Sequence, residues 1–425
     1  MSTSPYFTDI TKALASANAS PAGTKTIVAN GVYDHTQGRE ALSKAGAILQ
    51  AQEKGKVIIK RNPIDVLGEK STFDGFLCQY DSKDQTVINV RGLECNFINN
   101  ILNIATTVPI TTRQDWLVVR GAGAKIQNNE SFGKKGLGNQ ILVGSGAAFV
   151  PNVIISGNYL HDQIYTPPTS TDPTNGAECL RVGSSDVANQ LFNCQIYKNK
   201  IEKIKTSDTE LFTIKSSANN VFENEIIDCT NTITFRHGHR NKFVNNTIVN
   251  GGVRIYGKDN IITDNTIIKN SQSQIRQFVI GNGSVEEDVI GSNAEYSRVK
   301  NNTIERNKIL NEDAADRILF CFGYGDGALK PTGNFIRDNT ITASKGTLAS
   351  TYAGASWSGN TVERNILWAT GTAIYGNMPA TGFTKKDPIV VTPPPEPTPP
   401  KPLTVEERLT YLETKLKELE AQIMK

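Results

Sequence analysis

Asp208, Glu210, Lys215 and Arg236 are residue types that together can move a proton and steady developing charge. They fall in one stretch, Asp208 to Gly238, that otherwise carries the short apolar runs of β-strands. Residues two apart on an extended strand share a face, so Asp208 and Glu210 are expected side by side, repelling each other unless a cation or a proton intervenes. Lys215 follows five residues after Glu210, and Arg236 comes twenty-one residues after Lys215. That interval is close to one turn of a β-solenoid, which would set the lysine and the arginine on neighbouring coils with strands about 4.8 Å apart. The stretch therefore predicts a base, an acid and a metal site in one place.

A repeated phrase supplies the scaffold. Asn158, Asn199, Asn224, Asn246, Asn265, Asn302, Asn339 and Asn360 each open the pattern Asn, any residue, apolar residue, at intervals of 41, 25, 22, 19, 37, 37 and 21. One coil is then roughly 19 to 25 residues, the longer gaps being two coils or one coil with a loop. Short alternating runs such as Asn241–Val244 and Gly252–Tyr256 suit strands with one side chain in and the next out. Asparagine at a fixed point of each coil suits a turn, because it tolerates the left-handed conformation and can bond to the next asparagine along the stack. The fold class expected is all-β: a right-handed parallel β-helix.

The ends differ from the middle. Thr8–Ala17 and Arg39–Glu53 read as helices and Lys56–Lys60 as a first strand, giving an N-terminal helical cap over 1–55 that closes the core, and a β-helix over 56–390. Residues 391–402 form a proline-rich linker. In 403–425, Val405, Leu409, Leu412, Leu416, Leu419 and Ile423 follow a 4, 3, 4, 3, 4 spacing, an a/d seam of a short coiled-coil helix. Arg408 and Lys415 at g, with Glu413 and Glu420 at e, would join parallel chains into a homo-oligomer.

Composition narrows the partners. A net charge of +3 with no massed basic block gives no case for nucleic acid, and no window approaches a membrane span. The first ten residues lack a basic region and an apolar core, so an extracellular, periplasmic or virion-associated location would require a removed signal or another export route. Cys78, Cys95, Cys179, Cys194, Cys229 and Cys321 show no metal-type spacing and are expected as buried free thiols.

The central residues resemble polysaccharide lyase family 6, the group containing alginate lyases and chondroitinase B. The acidic strand leading to Lys-Ser at Glu210–Ser216, and Arg236-His237-Gly238 one coil later, look like the family's two central phrases. Asn175–Gly183 and Gly251–Gly257 look like two more. The likeness is specific from about Asn175 to Gly283, weaker over the rest of the solenoid and absent from the tail. Related enzymes carry two glutamates as calcium ligands where this chain has Asp208 and Glu210, a departure that bears on the metal.

The chemistry implied is β-elimination from a 1,4-linked uronic acid polymer, alginate first among the candidates. The proton at C5 is weakly acidic beside an ionised carboxylate, so that carboxylate must be neutralised. Calcium held by Asp208, Glu210 and Asn175 would do so. Lys215 is the expected base, and Arg236 the group that assists the leaving oxygen. His237 is assigned to substrate orientation or a share of the acid role, and Arg181 and Arg254 to uronate carboxylates. Two other classes fit a β-helix: a glycan-binding adhesin, which needs no base, and a uronan C5-epimerase, which returns the proton to the opposite face. The Lys215–Arg236 pair favours the lyase.

Overall fold

Three short strands and three sharp corners make one coil. Lys242–Val244, Thr247–Val249 and Gly252–Ile255 are the strands of one such turn, and Ile261–Thr263 begins the next. Single residues in the left-handed conformation make the corners, here Asn245, Asn250 and Asp259 with φ of 55°, 65° and 56°. A three-residue strand presents one side chain inward, so Phe243 and Ile248 enter the core while their neighbours face out. The computed structural model describes residues 6–386, apart from 107–110, 145, 270–276, 287–295, 312–317, 326, 353–354, 372 and 380.

Stacking these coils produces three parallel sheets, of 13, 15 and 12 strands among the described residues, as expected for a parallel β-helix. Register is kept by continuous apolar columns. In the first sheet Ile155, Ile196, Val221, Phe243, Ile262, Ile304 and Ile336 are directly paired in that order and all buried. Slipping a strand by one residue would turn such a column out to water, which holds every coil in place.

The asparagine series resolves into two ladders. One runs Asn100, Asn129, Asn158, Asn199, Asn224, Asn246, Asn265, Asn307, Asn339 and Asn365, each backbone N–H donating to the Oδ1 of the next. The other runs Asn219, Asn241, Asn260, Asn302, Asn334 and Asn360 at a different corner. Asn302 and Asn360 thus belong to another ladder than Asn265 and Asn339. The expected reason for asparagine also changes: the left-handed residue is the one before it, such as Glu223 before Asn224 or Arg306 before Asn307. The ladder asparagine is there for its amide, whose Oδ1 takes bonds from the coil below while its Nδ2 satisfies buried carbonyls, as Asn224 does for Ile196 and Phe222.

The cap is smaller than expected. A helix spans Ile10–Ala19, capped by the Asp9 carboxylate accepting from Lys12 N, and buries Ile10, Ala13, Leu14 and Ala17 on the open end of the core. Arg39–Glu53 is not helical: it holds the strands Glu40–Leu42 and Ile48–Ala51, and the stacked strands begin at Lys25. Lys56–Lys60 overlaps a strand, Val57–Arg61, that is not the first. The six cysteines are buried and free. No described helix is long and apolar enough to cross a membrane. The proline-rich linker and the heptad helix, with the self-association read from it, lie outside the described residues.

Candidate active site

The third sheet carries the candidate residues on four successive coils. Its strands Leu180–Gly183, Glu210–Lys215, Thr232–Phe235 and Gly252–Ile255 pair in that order. Phe212 and Ile214 point into the core, which sends Thr213 and Lys215 outward. Strict alternation would bury Glu210 with Phe212, but the register shifts between Glu210 and Phe212, and this bulge turns the carboxylate out to meet the Thr213 hydroxyl at 3.3 Å. Ile214 pairs with Phe235, so the residues that follow, Lys215 and Arg236, occupy equivalent places on adjacent coils, as their spacing predicted. Gly238 then lets the chain turn away: it has a φ of 87°, and a Cβ there would lie 2.1 Å from the Ser216 carbonyl oxygen.

Together these side chains line a cleft of 180 Å3 formed by Arg113, Asn175, Gly176, Glu178, Arg181, Asp208, Glu210, Lys215 and Arg236. Lys215 Nζ lies 3.7 Å from Glu178 Oε1. Burial lowers the Lys215 pKa, and Arg181 and Arg236 push the same way against the pull of Glu178 and Glu210. Burial likewise lowers Arg181. For Glu178, burial works upward, but Arg181, Lys215 and Arg113 outweigh it and hold the carboxyl below the usual range. Glu210 accepts from Arg254 Nη2 at 2.7 Å and from Arg236 Nη1 at 3.5 Å, which ties two guanidinium groups to one carboxylate. Arg113 makes a two-pronged pair with Asp115 at 3.0 and 3.1 Å.

The three residues assigned to a cation, Asn175, Asp208 and Glu210, all line this cleft. Asp208 precedes the strand rather than sharing its face, and its carboxylate accepts from the backbone N–H groups of Gly176, Ala177 and Glu210. Burial, then the neighbouring Glu178 charge, raises Asp208 to about 6 against those bonds. Glu178 Oε2 is buried without a hydrogen-bond partner. Crowded acids and an orphaned oxygen fit a hard, oxygen-ligated cation by chemistry. Among the described residues, however, no three His, Cys, Asp or Glu side chains already form a metal site, and Glu210 is shared with two arginines.

Arg181 lines the cleft as expected for a carboxylate ligand. Arg254 stands three coils beyond Arg181 and one beyond Arg236, lining a neighbouring cavity while its guanidinium holds Glu210. His237 is harder to fit to its assignment: it is 0% exposed, and burial, with Arg236 and Lys215 beside it, lowers its pKa to about 3, so the ring is buried and neutral beside the cleft. Arg113 and Glu178 were not foreseen. Glu178 lies within the phrase Asn175–Gly183 and was legible there. Arg113 reaches the cleft from two coils before Arg181, and nothing in its local sequence marks it.

The family model described as chondroitinase B matches residues 8–344. Among solved structures, the PL6 family alginate lyase AlyGC is similar at 21% identity and a TM-score of 0.73, over 88% of this chain and 52% of that one. This chain thus spans about half the length of AlyGC. A mannuronic acid specific polysaccharide family 6 lyase from human gut microbiota is similar at 17% identity and a TM-score of 0.70, over 88% of this chain and 90% of that one. The PL6 family polysaccharide lyase Pedsa3628 from Pseudopedobacter saltans gives 18% and 0.68, over 84% and 91%. At these identities the structural likeness is one of fold. No curated protein sequence matches.

Proposed function

The chain belongs to the chondroitinase B family, as the match over residues 8–344 shows, and we propose that it is a polysaccharide lyase that cuts a uronic acid polymer, alginate foremost, by β-elimination. The observation that carries this reading is the placement of Lys215 and Arg236 at equivalent points of adjacent coils, in a cleft whose other cations suit a carboxylate. Lys215, its pKa lowered by burial, takes the C5 proton. The electron pair left behind forms the C4–C5 double bond, and the C4–O4 bond breaks. Arg236 stabilises the charge on the departing oxygen, which takes a proton from water, and Lys215 returns the proton it took from C5 to the solvent. Arg181, with Arg113 beside it, pairs with the uronate carboxylate, a reading supported by their common place in the cleft lining. Such polymers are met outside the cytoplasmic membrane, and the protein is proposed to act there.

Incubation with mannuronate-rich alginate, guluronate-rich alginate and a sulfated galactosaminoglycan tests this directly. At least one should yield ultraviolet-absorbing unsaturated ends. Binding without product, or altered C5 configuration without chain ends, would mean an adhesin or an epimerase instead.

Calcium is proposed as the cofactor, held by Asn175, Asp208 and Glu210. When bound it would withdraw charge from the substrate carboxylate. A cation among Glu178, Asp208 and Glu210 would also relieve their mutual repulsion, so calcium should raise the melting temperature near neutral pH, and more than magnesium does, since magnesium demands a smaller and stricter octahedron. Exhaustive chelation that leaves both melting temperature and activity unchanged would remove calcium from the proposal and leave carboxylate neutralisation to Arg181 and Arg113.

A further inference from the structure

One coil before the loop that carries Asn175 and Glu178, a lysine lies in the protein interior. Lys134 is 1% exposed, and its Nζ donates to the Leu137 carbonyl at 2.8 Å and stands 5.6 Å from the centre of the Trp116 ring. The charges that reach it, Asp115 and Arg113, are paired with each other at 3.0 Å, and among the described residues no carboxylate forms an ion pair with Lys134. Burial lowers its pKa to about 7, Asp115 pulling against that shift and Arg113 adding to it. A lysine so placed weakens the fold. The unfolded chain carries an ordinary lysine with a pKa of about 10.4, so the cost is complete below about pH 7 and fades as the pH rises toward that value.

What Lys134 holds supplies a reason for it. It sits in the turn Gly133-Lys134-Lys135-Gly136-Leu137-Gly138, whose three glycines have φ of 76°, 98° and 94°. Such a turn has much conformational freedom to lose, and the bond from Lys134 to Leu137 closes it. The turn feeds directly into the cleft. Gly138 N–H donates to the Gly176 carbonyl at 2.7 Å, and Ile141 pairs with Leu180, so Asn139 falls opposite Glu178 on the next coil. Asn139 donates its N–H to Asp115 at 2.8 Å and its Nδ2 to the Glu178 carbonyl at 3.1 Å, and its Oδ1 accepts from Arg113 Nη2. Gly176 and Ala177 in turn donate their N–H groups to Asp208. A shift in the turn therefore passes to Arg113, Glu178 and Asp208 together. We propose that Lys134 is a positioning residue for the cleft, held in the interior at the expense of stability because it ties the glycine turn that sets Arg113 and the Gly176–Glu178 segment in place. That the cleft is catalytic rests on the lyase reading.

Lys134→Met fills similar space without charge or donor, and the Leu137 carbonyl keeps the Gln114 N–H at 3.1 Å. This protein should melt higher than the unsubstituted one, by more at about pH 6 than at about pH 9, while kcat/KM on alginate falls by about 10- to 100-fold, chiefly through kcat. Amide hydrogen exchange over residues 134–139 and 175–179 should quicken by at least about fivefold, with the core strands unchanged. Lys134→Gln, which offers a shorter donor to the same carbonyl, should recover part of the activity and part of the exchange protection. A Lys134→Met protein that fails to fold or melts lower would make Lys134 a stabilising core residue and overturn the proposal, as would unchanged exchange and turnover in a folded one. If the unsubstituted protein releases no unsaturated product from any uronan, the lyase reading fails, and the exchange and melting measurements still decide whether Lys134 holds the turn.

Discussion

Lys215→Ala should lower turnover by about 10²- to 10⁴-fold while leaving the fold and most substrate affinity intact, because a general base acts chiefly in the transition state. Removing the side chain takes away one cation that faces Glu178 at 3.7 Å, and Arg181 and Arg113 remain to hold that carboxylate, so the cleft stays balanced. The pH profile gives an independent check. A base works in its neutral form, and burial holds the folded pKa of Lys215 below that of an exposed lysine. The rate should therefore rise with pH and level off below the pH at which an ordinary lysine loses its proton. A folded Lys215→Ala protein that forms unsaturated product at a near-normal rate would sink the proposed base, and a rise that follows ordinary lysine titration would sink the claim that burial prepares it.

How much of this was readable beforehand depends on whether a feature is local. Coil spacing was legible because the asparagine phrase recurs, yet the two ladders merged: Asn302-Thr303-Ile304 and Asn307-Lys308-Ile309 read alike, and only their hydrogen-bond partners, Asn334 and Asn339, tell them apart. The segment Arg39–Glu53 has good helix formers, but Ile48–Ala51 pairs with Lys25–Val28 below and Thr72–Asp74 above, and tertiary pairing overrides propensity. Lys215 and Arg236 were found because their separation is one coil with nothing inserted. Arg113 is set apart from Arg181 by coils carrying loops, so its arrival in the same cleft could not be counted from sequence. His237 was assigned from its residue type and its place beside Arg236, while the packing that buries its ring depends on the coils around it. Glu210 reached the outer face through a bulge, a departure from alternation that the residue pattern alone does not announce.

Glu210 should prove the residue on which the site's stability turns. Its buried carboxylate is the shared partner of Arg254 at 2.7 Å and Arg236 at 3.5 Å, whose side chains are only 12% and 16% exposed. Glu210→Ala would leave both guanidinium groups without that anion, and breaking a buried pair from one side typically costs about 3 to 5 kcal/mol. It would also remove one of the anchors that set Arg236 beside Lys215, so activity should fall together with stability. Glu210→Gln separates the two effects. The amide keeps the side chain's shape and one acceptor for Arg254, and should recover part of the lost stability in chemical denaturation. It lacks the charge, and should neither restore turnover nor show a calcium-dependent rise in melting temperature. A Glu210→Ala protein as stable as the unsubstituted one would mean that these arginines find other partners. A fully active Glu210→Gln protein would mean that neither the metal nor the placement of Arg236 needs the negative charge at this position.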